Sequence, residues 1–168
     1  ARLQLTDGRD FVLEGAGRTS TGGKIAFSSK GRLDRRRLAL SATRLDLNGN
    51  VVLAEGTWPL ASAEKADGLR LRADDLDPLG LIPLLPDALR REALGYRPFG
   101  RAKLAVTLHP ESSTAALVPV GLGMILPDMG EKGLELKVGR GSIRATWGAT
   151  ESLRLEDQIG RASCRERV

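Results

Sequence analysis

The densest set of residues able to do chemistry is Asp74-Asp75-Leu76-Asp77. Clustered carboxylates suit a hard cation, which takes oxygen ligands. They suit a helix start equally well. Asp77 before Pro78 fits an N-cap followed by proline at the first helical position, and the helix dipole draws acids there. Capping and dipole alone account for these carboxylates, so no metal site is expected. His109, the one histidine, stands before Pro110 at a strand end. A triad or a zinc site needs partners of kinds this chain lacks. Gly121-Leu122-Gly123 opens like a dinucleotide loop but has no third glycine and no following helix, so it reads as turn chemistry. No P-loop is present. The aromatics Phe11, Phe27, Trp58, Tyr96, Phe99 and Trp147 are spaced too widely for a nucleic-acid stacking platform. The expectation is a chain with no catalytic residue, no metal and no cofactor, and not an enzyme.

Composition points the same way. The chain has 168 residues, a length that suggests one domain, and 20 of them are glycine, about 12% against a usual ~7%. Aromatic content is 4%, so many turns and a thin aliphatic core are expected. The formal charge of +5 is scattered, clustering only at Arg35-Arg36-Arg37 and in the last residues. A nucleic-acid footprint wants a basic stripe with stacking aromatics, so no such partner is expected. The longest apolar run, Leu117 to Leu126, is about half the ~20 residues needed to span a membrane. The chain opens on Ala1 with a strand already under way and reads as an internal fragment, residues 1–157, of a larger protein.

Residues Ile159 to Val168, IGRASCRERV, match the in-frame translation of a widely used sequencing adapter, and Gln158 is partly adapter too. Residues 158–168 are therefore expected not to be native. Cys164, the only cysteine, then says nothing about redox chemistry or compartment. Losing Arg161, Arg165, Arg167 and Glu166 lowers the charge from +5 to +3.

The elements that must position any surface are mostly strands. Leu3 and Leu5, Phe11 and Leu13, and Ile25 and Phe27 alternate with polar residues, punctuated by Asp7-Gly8 and Gly22-Gly23. Leu38, Leu40 and Ala42 share a face, and Leu45 and Leu47 follow after a phase slip that predicts a bulge near Thr43. Asn48-Gly49-Asn50 is a hairpin signal. A two-residue loop opposes Leu47 with Asn50 and Leu45 with Val52. A three-residue loop pairs Leu47 with Val51 and Leu45 with Leu53 and keeps one face wholly apolar, so it is the expected form. Trp58-Pro59 ends that strand, and Leu69, Leu71 and Ala73 form the next. A short helix follows over about residues 77–95, broken at Pro83 and Pro86. Its second piece, Asp87 to Leu94, closes at Gly95, with Leu85, Ala88, Leu89 and Leu94 as the face that docks on the sheet or closes its end. Strands resume at Leu104, Val106 and Leu108, with a further apolar strand or buried loop at Leu117 to Leu126. Then come Leu134, Leu136 and Val138; Ile143, Ala145 and Trp147; and Leu153 with Leu155.

The run LRLRADDLDPLGLIPLLPDALRREALGYRPFGRAKLAVTL resembles a recurring segment of the AsmA-like superfamily of bacterial envelope proteins. YhdP-type members are nearest, with TamB and YdbH as relatives. It is carried by Asp75-Leu76-Asp77, by Leu84-Leu85-Pro86 with Ala88-Leu89-Arg90, and by Pro98-Phe99-Gly100-Arg101-Ala102-Lys103-Leu104, and extends over residues 35–157. Ala102-Lys103 departs from the more apolar or acidic pair of that pattern.

The resemblance implies a fold that is mainly β, a curved antiparallel sheet of amphipathic hairpins forming an open groove, with one short Pro-broken helix. It implies a segment of a periplasm-spanning lipid-transfer protein of a Gram-negative bacterium. Such a protein is attached to the inner membrane by an anchor outside this fragment and carries phospholipid acyl chains toward the outer membrane. Candidate lining positions are Leu38, Leu40, Leu45, Leu47, Val51, Leu53, Leu69, Leu71, Leu104, Val106, Leu134 and Leu136. The alternative is a non-catalytic β-rich envelope scaffold that binds protein partners and uses the same leucines as an ordinary sheet core.

Overall fold

A computed structural model describes residues 1–6, 9–60, 67–126, 134–148 and 154–166. They form one open antiparallel sheet of ten strands laid down in chain order. The strands are β1 (Arg2–Thr6), β2 (Asp10–Arg18), β3 (Lys24–Leu33), β4 (Arg37–Leu47), β5 (Asn50–Pro59), β6 (Gly68–Leu76), β7 (Phe99–Leu108), β8 (Ser112–Leu126), β9 (Leu134–Gly148) and β10 (Arg154–Glu166). The expected Asp7-Gly8 turn, Leu153 and most of the polar connection after Leu60 lie outside the described residues. Leu117 to Leu126 is strand, not loop. β10 pairs with β9 through Gln158↔Ser142 and beyond, so it includes the adapter-like stretch. Adding a strand to a sheet edge draws only on backbone groups, which any extended segment supplies.

Between β6 and β7 the chain forms α1 (Pro78–Leu81), a 3-10 turn at Ile82–Leu84, and α2 (Asp87–Gly95). The Leu79 amide donates to Asp77 Oδ1 at 3.0 Å, the cap expected from Asp77-Pro78. Asp75 and Asp77 both face the Arg101 guanidinium, at 3.6 and 3.5 Å. The carboxylates thus serve the helix start and a strand arginine. The docking face expected of α2 is corrected: the helix buries no residue, and Leu89 and Leu94 are 54% and 53% exposed. Ile82, 4% exposed, is buried instead.

The hairpin at Asn48-Gly49 also corrects an expectation. Both residues have positive φ, 53° and 93°, the form of a two-residue type I′ turn. Leu47 therefore pairs with Asn50, Leu45 with Val52, Asp46 with Val51, and Arg44 with Leu53. Strand side chains alternate between faces, so Val51 and Leu53 lie opposite the other leucines. Putting Asn50 on the apolar face is offset by partners: its Nδ2 donates to the Leu47 carbonyl at 3.2 Å, and its Oδ1 accepts from the Asp77 amide. The expected bulge is present, as a register shift between Leu40 and Thr43.

The three phenylalanines share one task. Phe27 lies opposite Gly15, Phe11 opposite Gly31, and Phe99 opposite Gly123. In each pair the ring occupies the place where a glycine Cβ would project. An aromatic ring laid over a cross-strand glycine restores packing that the glycine cannot supply.

Candidate functional site

Register aligns the apolar residues into rows that cross the strands on one face. One runs Phe27, Leu45, Val52 on β3 to β5 and continues as Ala73, Leu104, Leu117 on β6 to β8. A second runs Thr43, Ala54, Leu71, Val106, Ala115. A third runs Leu40, Gly56, Leu69, Leu108, with Leu38 beside Trp58 beyond it. Leu47 pairs with Ile25 next to the first row.

Of the twelve sequence candidates, Leu38, Leu40, Leu45, Leu47, Leu69, Leu71, Leu104 and Val106 share this face. Val51 and Leu53 do not. Leu134 and Leu136 pair along the backbone with Leu126 and Met124, apart from the rows across the Gly139–Gly141 stretch. The candidate set missed Phe27, Val52, Trp58, Leu108 and Leu117. Val52 was lost with the hairpin register; the others carried the same alternation signal.

The rows are covered unevenly. Among the described residues the buried hydrophobics are Val52, Ala73, Leu76, Ile82 and Ala102. Leu45, Leu47, Leu71, Leu104 and Leu117 pack against this core but stay half-buried. The insertion is tied to hairpin ends: Asn48 Nδ2 donates to the Gly80 carbonyl at 2.9 Å, and the Thr19 and Thr21 hydroxyls donate to the Pro83 carbonyl. It therefore caps the end of the sheet that carries the β2–β3 and β4–β5 turns. Toward the other end Leu38, Leu40, Trp58, Leu69 and Leu108 are only half-buried, and the described residues form no second layer over them.

The apolar rows carry no charged side chain from Phe27 to Leu117. At the open end a charge is held in the β3–β4 turn, where Asp34 accepts from the Arg36 and Arg37 amides, both at 2.8 Å. Those bonds, with the Arg37 charge behind them, hold its carboxyl below the ordinary aspartate range. The face offers aliphatic and aromatic side chains, and the Thr43 hydroxyl in its second row hydrogen-bonds with Ser29 at 2.7 Å. It can exchange water for hydrocarbon, at about 0.8 kcal/mol per methylene buried.

The opposite face holds a recess of about 610 Å³ over β3 to β7. Its walls are Ser28, Arg44, Leu53, Arg72 and Ala105 on one side and Lys30, Glu55, Arg70 and Thr107 on the other, with the backbone at Ala54 and Leu71 between them. No local stretch of the chain signals it, because its cations lie far apart in sequence. Comparison with family models, with curated proteins and with solved structures finds no match.

Proposed function

We propose that this chain is a segment of a lipid-transfer bridge, carrying phospholipid acyl chains along the uncovered part of its apolar face. The single observation that supports this reading is the uncapped end: rows of leucines run across consecutive strands with no covering layer among the described residues. A soluble domain normally buries such a face against a second sheet or a helix. Here the helical insertion covers only one end. An acyl chain laid across the open rows needs no polar anchor, because each methylene contributes on its own. On the resemblance to AsmA-like envelope proteins, the parent protein would work in the periplasm of a Gram-negative bacterium, held to the inner membrane by an anchor outside this segment.

The test is mass spectrometry of lipids that co-purify with the chain, paired with photocrosslinking from Leu40 and Leu69. Retained phospholipid and lipid adducts at both positions are the expected result. Lipid-free protein, under conditions where a known carrier keeps its lipid, would overturn the reading.

A second reading, an envelope scaffold that binds protein, draws support from the exposed Leu79, Leu89, Leu94 and Tyr96 on and beside the insertion. Crosslinks from Leu40 and Leu69 confined to protein would favour it.

A further inference from the structure

The recess on the polar face has a charge order that selects a partner. We propose that it binds an extended acidic peptide segment of another protein, with acidic side chains at positions i and i+4 and an apolar one at i+2. This is independent of the lipid reading, which concerns the other face.

Cations stand at both ends of the recess. Lys30 and Arg44 lie on β3 and β4, and Arg70 and Arg72 on β6. Arg44 and Arg72 lean outward to Asp46 and Asp74, at 3.9 and 3.3 Å, and all four of these side chains are well solvated. Exposed pairs of this kind are worth little and exchange readily. Lys30 and Arg70 make no ion pair among the described residues. Between the two ends β5 presents Leu53, 40% exposed, and Glu55.

Geometry fixes the spacing. Lys30 and Arg70 are three strand spacings apart, about 14 Å at ~4.8 Å each. In an extended peptide, side chains i and i+4 lie on the same face about 13 Å apart, and i+2 falls midway. A peptide crossing the strands from Lys30 to Arg70 would set its acids on the two cationic ends and its central side chain between Ala42 and Glu55, with Leu53 flanking it two residues along β5. Glu55 repels a charge at the centre, which discriminates against uniformly acidic segments. It disfavours a nucleic-acid strand as well, whose evenly spaced phosphates would place charge over Glu55 where no aromatic offers stacking. An acyl chain is a poorer fit, since this face offers Leu53 and small alanines rather than a continuous apolar track.

The test is fluorescence anisotropy of a labelled eight-residue peptide, with Asp and Glu four positions apart and Leu midway, titrated with the full chain at low and at physiological salt. Binding that weakens with salt is expected, and the K30E/R70E variant should weaken it about tenfold or more. Far-UV circular dichroism checks the fold; should the charge reversal unfold the chain, K30Q/R70Q is read instead, with a loss of about threefold expected. Arg91→Glu on α2, off the recess, should leave affinity unchanged. Glu55→Gln should raise affinity for a peptide with a central Asp. The proposal is overturned by no binding, by equal binding to the charge variants, by equal binding of a scrambled peptide with adjacent acids, or by a single-stranded oligonucleotide that competes as well as the peptide.

Discussion

The two ends of the apolar face are made of the same residue types and treated in opposite ways. At the capped end, Val52, Leu76, Ile82 and Ala102 are sealed, and the hairpin turns are bonded to the insertion through Asn48, Asn50, Thr19 and Thr21. At the open end, Leu38, Leu40, Trp58, Leu69 and Leu108 remain half-buried, with no second layer over them among the described residues. Alternation makes an apolar face, but only a covering element makes a core. The capped end supplies cohesion, and the open end keeps its surface for something else to cover.

The largest expected contrast is in stability. Ile82→Ala removes the side chain that the insertion buries and should cost about 2–5 kcal/mol. Leu69→Ala, already half in water, should cost about 1 kcal/mol. Urea denaturation of both variants checks the comparison; equal losses would mean that the open end is as sealed as the capped one. Asn50→Leu is the next step down. It restores an unbroken apolar row but strands the Asp77 amide, at a cost of about 1–3 kcal/mol. A stabilised variant would show that apolar patterning alone holds this hairpin.

Asn50 also shows where sequence reasoning reached its limit. Strand alternation, the Asp77-Pro78 helix start, the breaks at Pro83 and Pro86 and the bulge near Thr43 are all local, and all were legible. The hairpin register was not. A three-residue loop keeps a polar residue off the apolar face, yet Asn50 is satisfied there by Asp77, 27 residues later. A similar long-range effect misled the reading of α2. Leu89 and Leu94 look like docking residues on a helical wheel, but the insertion buries Ile82 instead and is tied to the sheet's turns through the carbonyls of Gly80 and Pro83. The eight candidates that share the apolar face follow from alternation. The polar recess depends on five strands coming into register, which no local window contains.

At the open end, function should change before stability does. Leu40→Gln with Leu69→Gln places polar groups in the third row and should cut binding of a fluorescent fatty acid severalfold, while lowering the denaturation midpoint only slightly. The same pair of changes at Leu45 and Val52 should unfold the capped end instead. Probe binding that survives in the Leu40/Leu69 variant would relocate the binding surface and break the division of labour between the two ends.

The smallest contrast concerns acid. Turns at the capped end are held by neutral partners, apart from the Asp77 cap and a contact from the Gly49 amide to Asp46. The β3–β4 turn at the open end depends on the Asp34 carboxylate and the two amides it accepts from. Its folded pKa lies below the unfolded value of about 3.9, so the turn gains stability above that pH. The gain is lost as pH falls through the folded pKa. Asp34→Asn should therefore be slightly less stable than the parent at neutral pH, with the difference vanishing in strong acid. Hydrogen exchange at the Arg36 and Arg37 amides should report the same loss locally, while protection at Asn50 and Asp77 stays flat until the sheet unfolds. Protection lost first at Asn50 would reverse the order of the two ends, because it would put the weaker attachment beneath the cap.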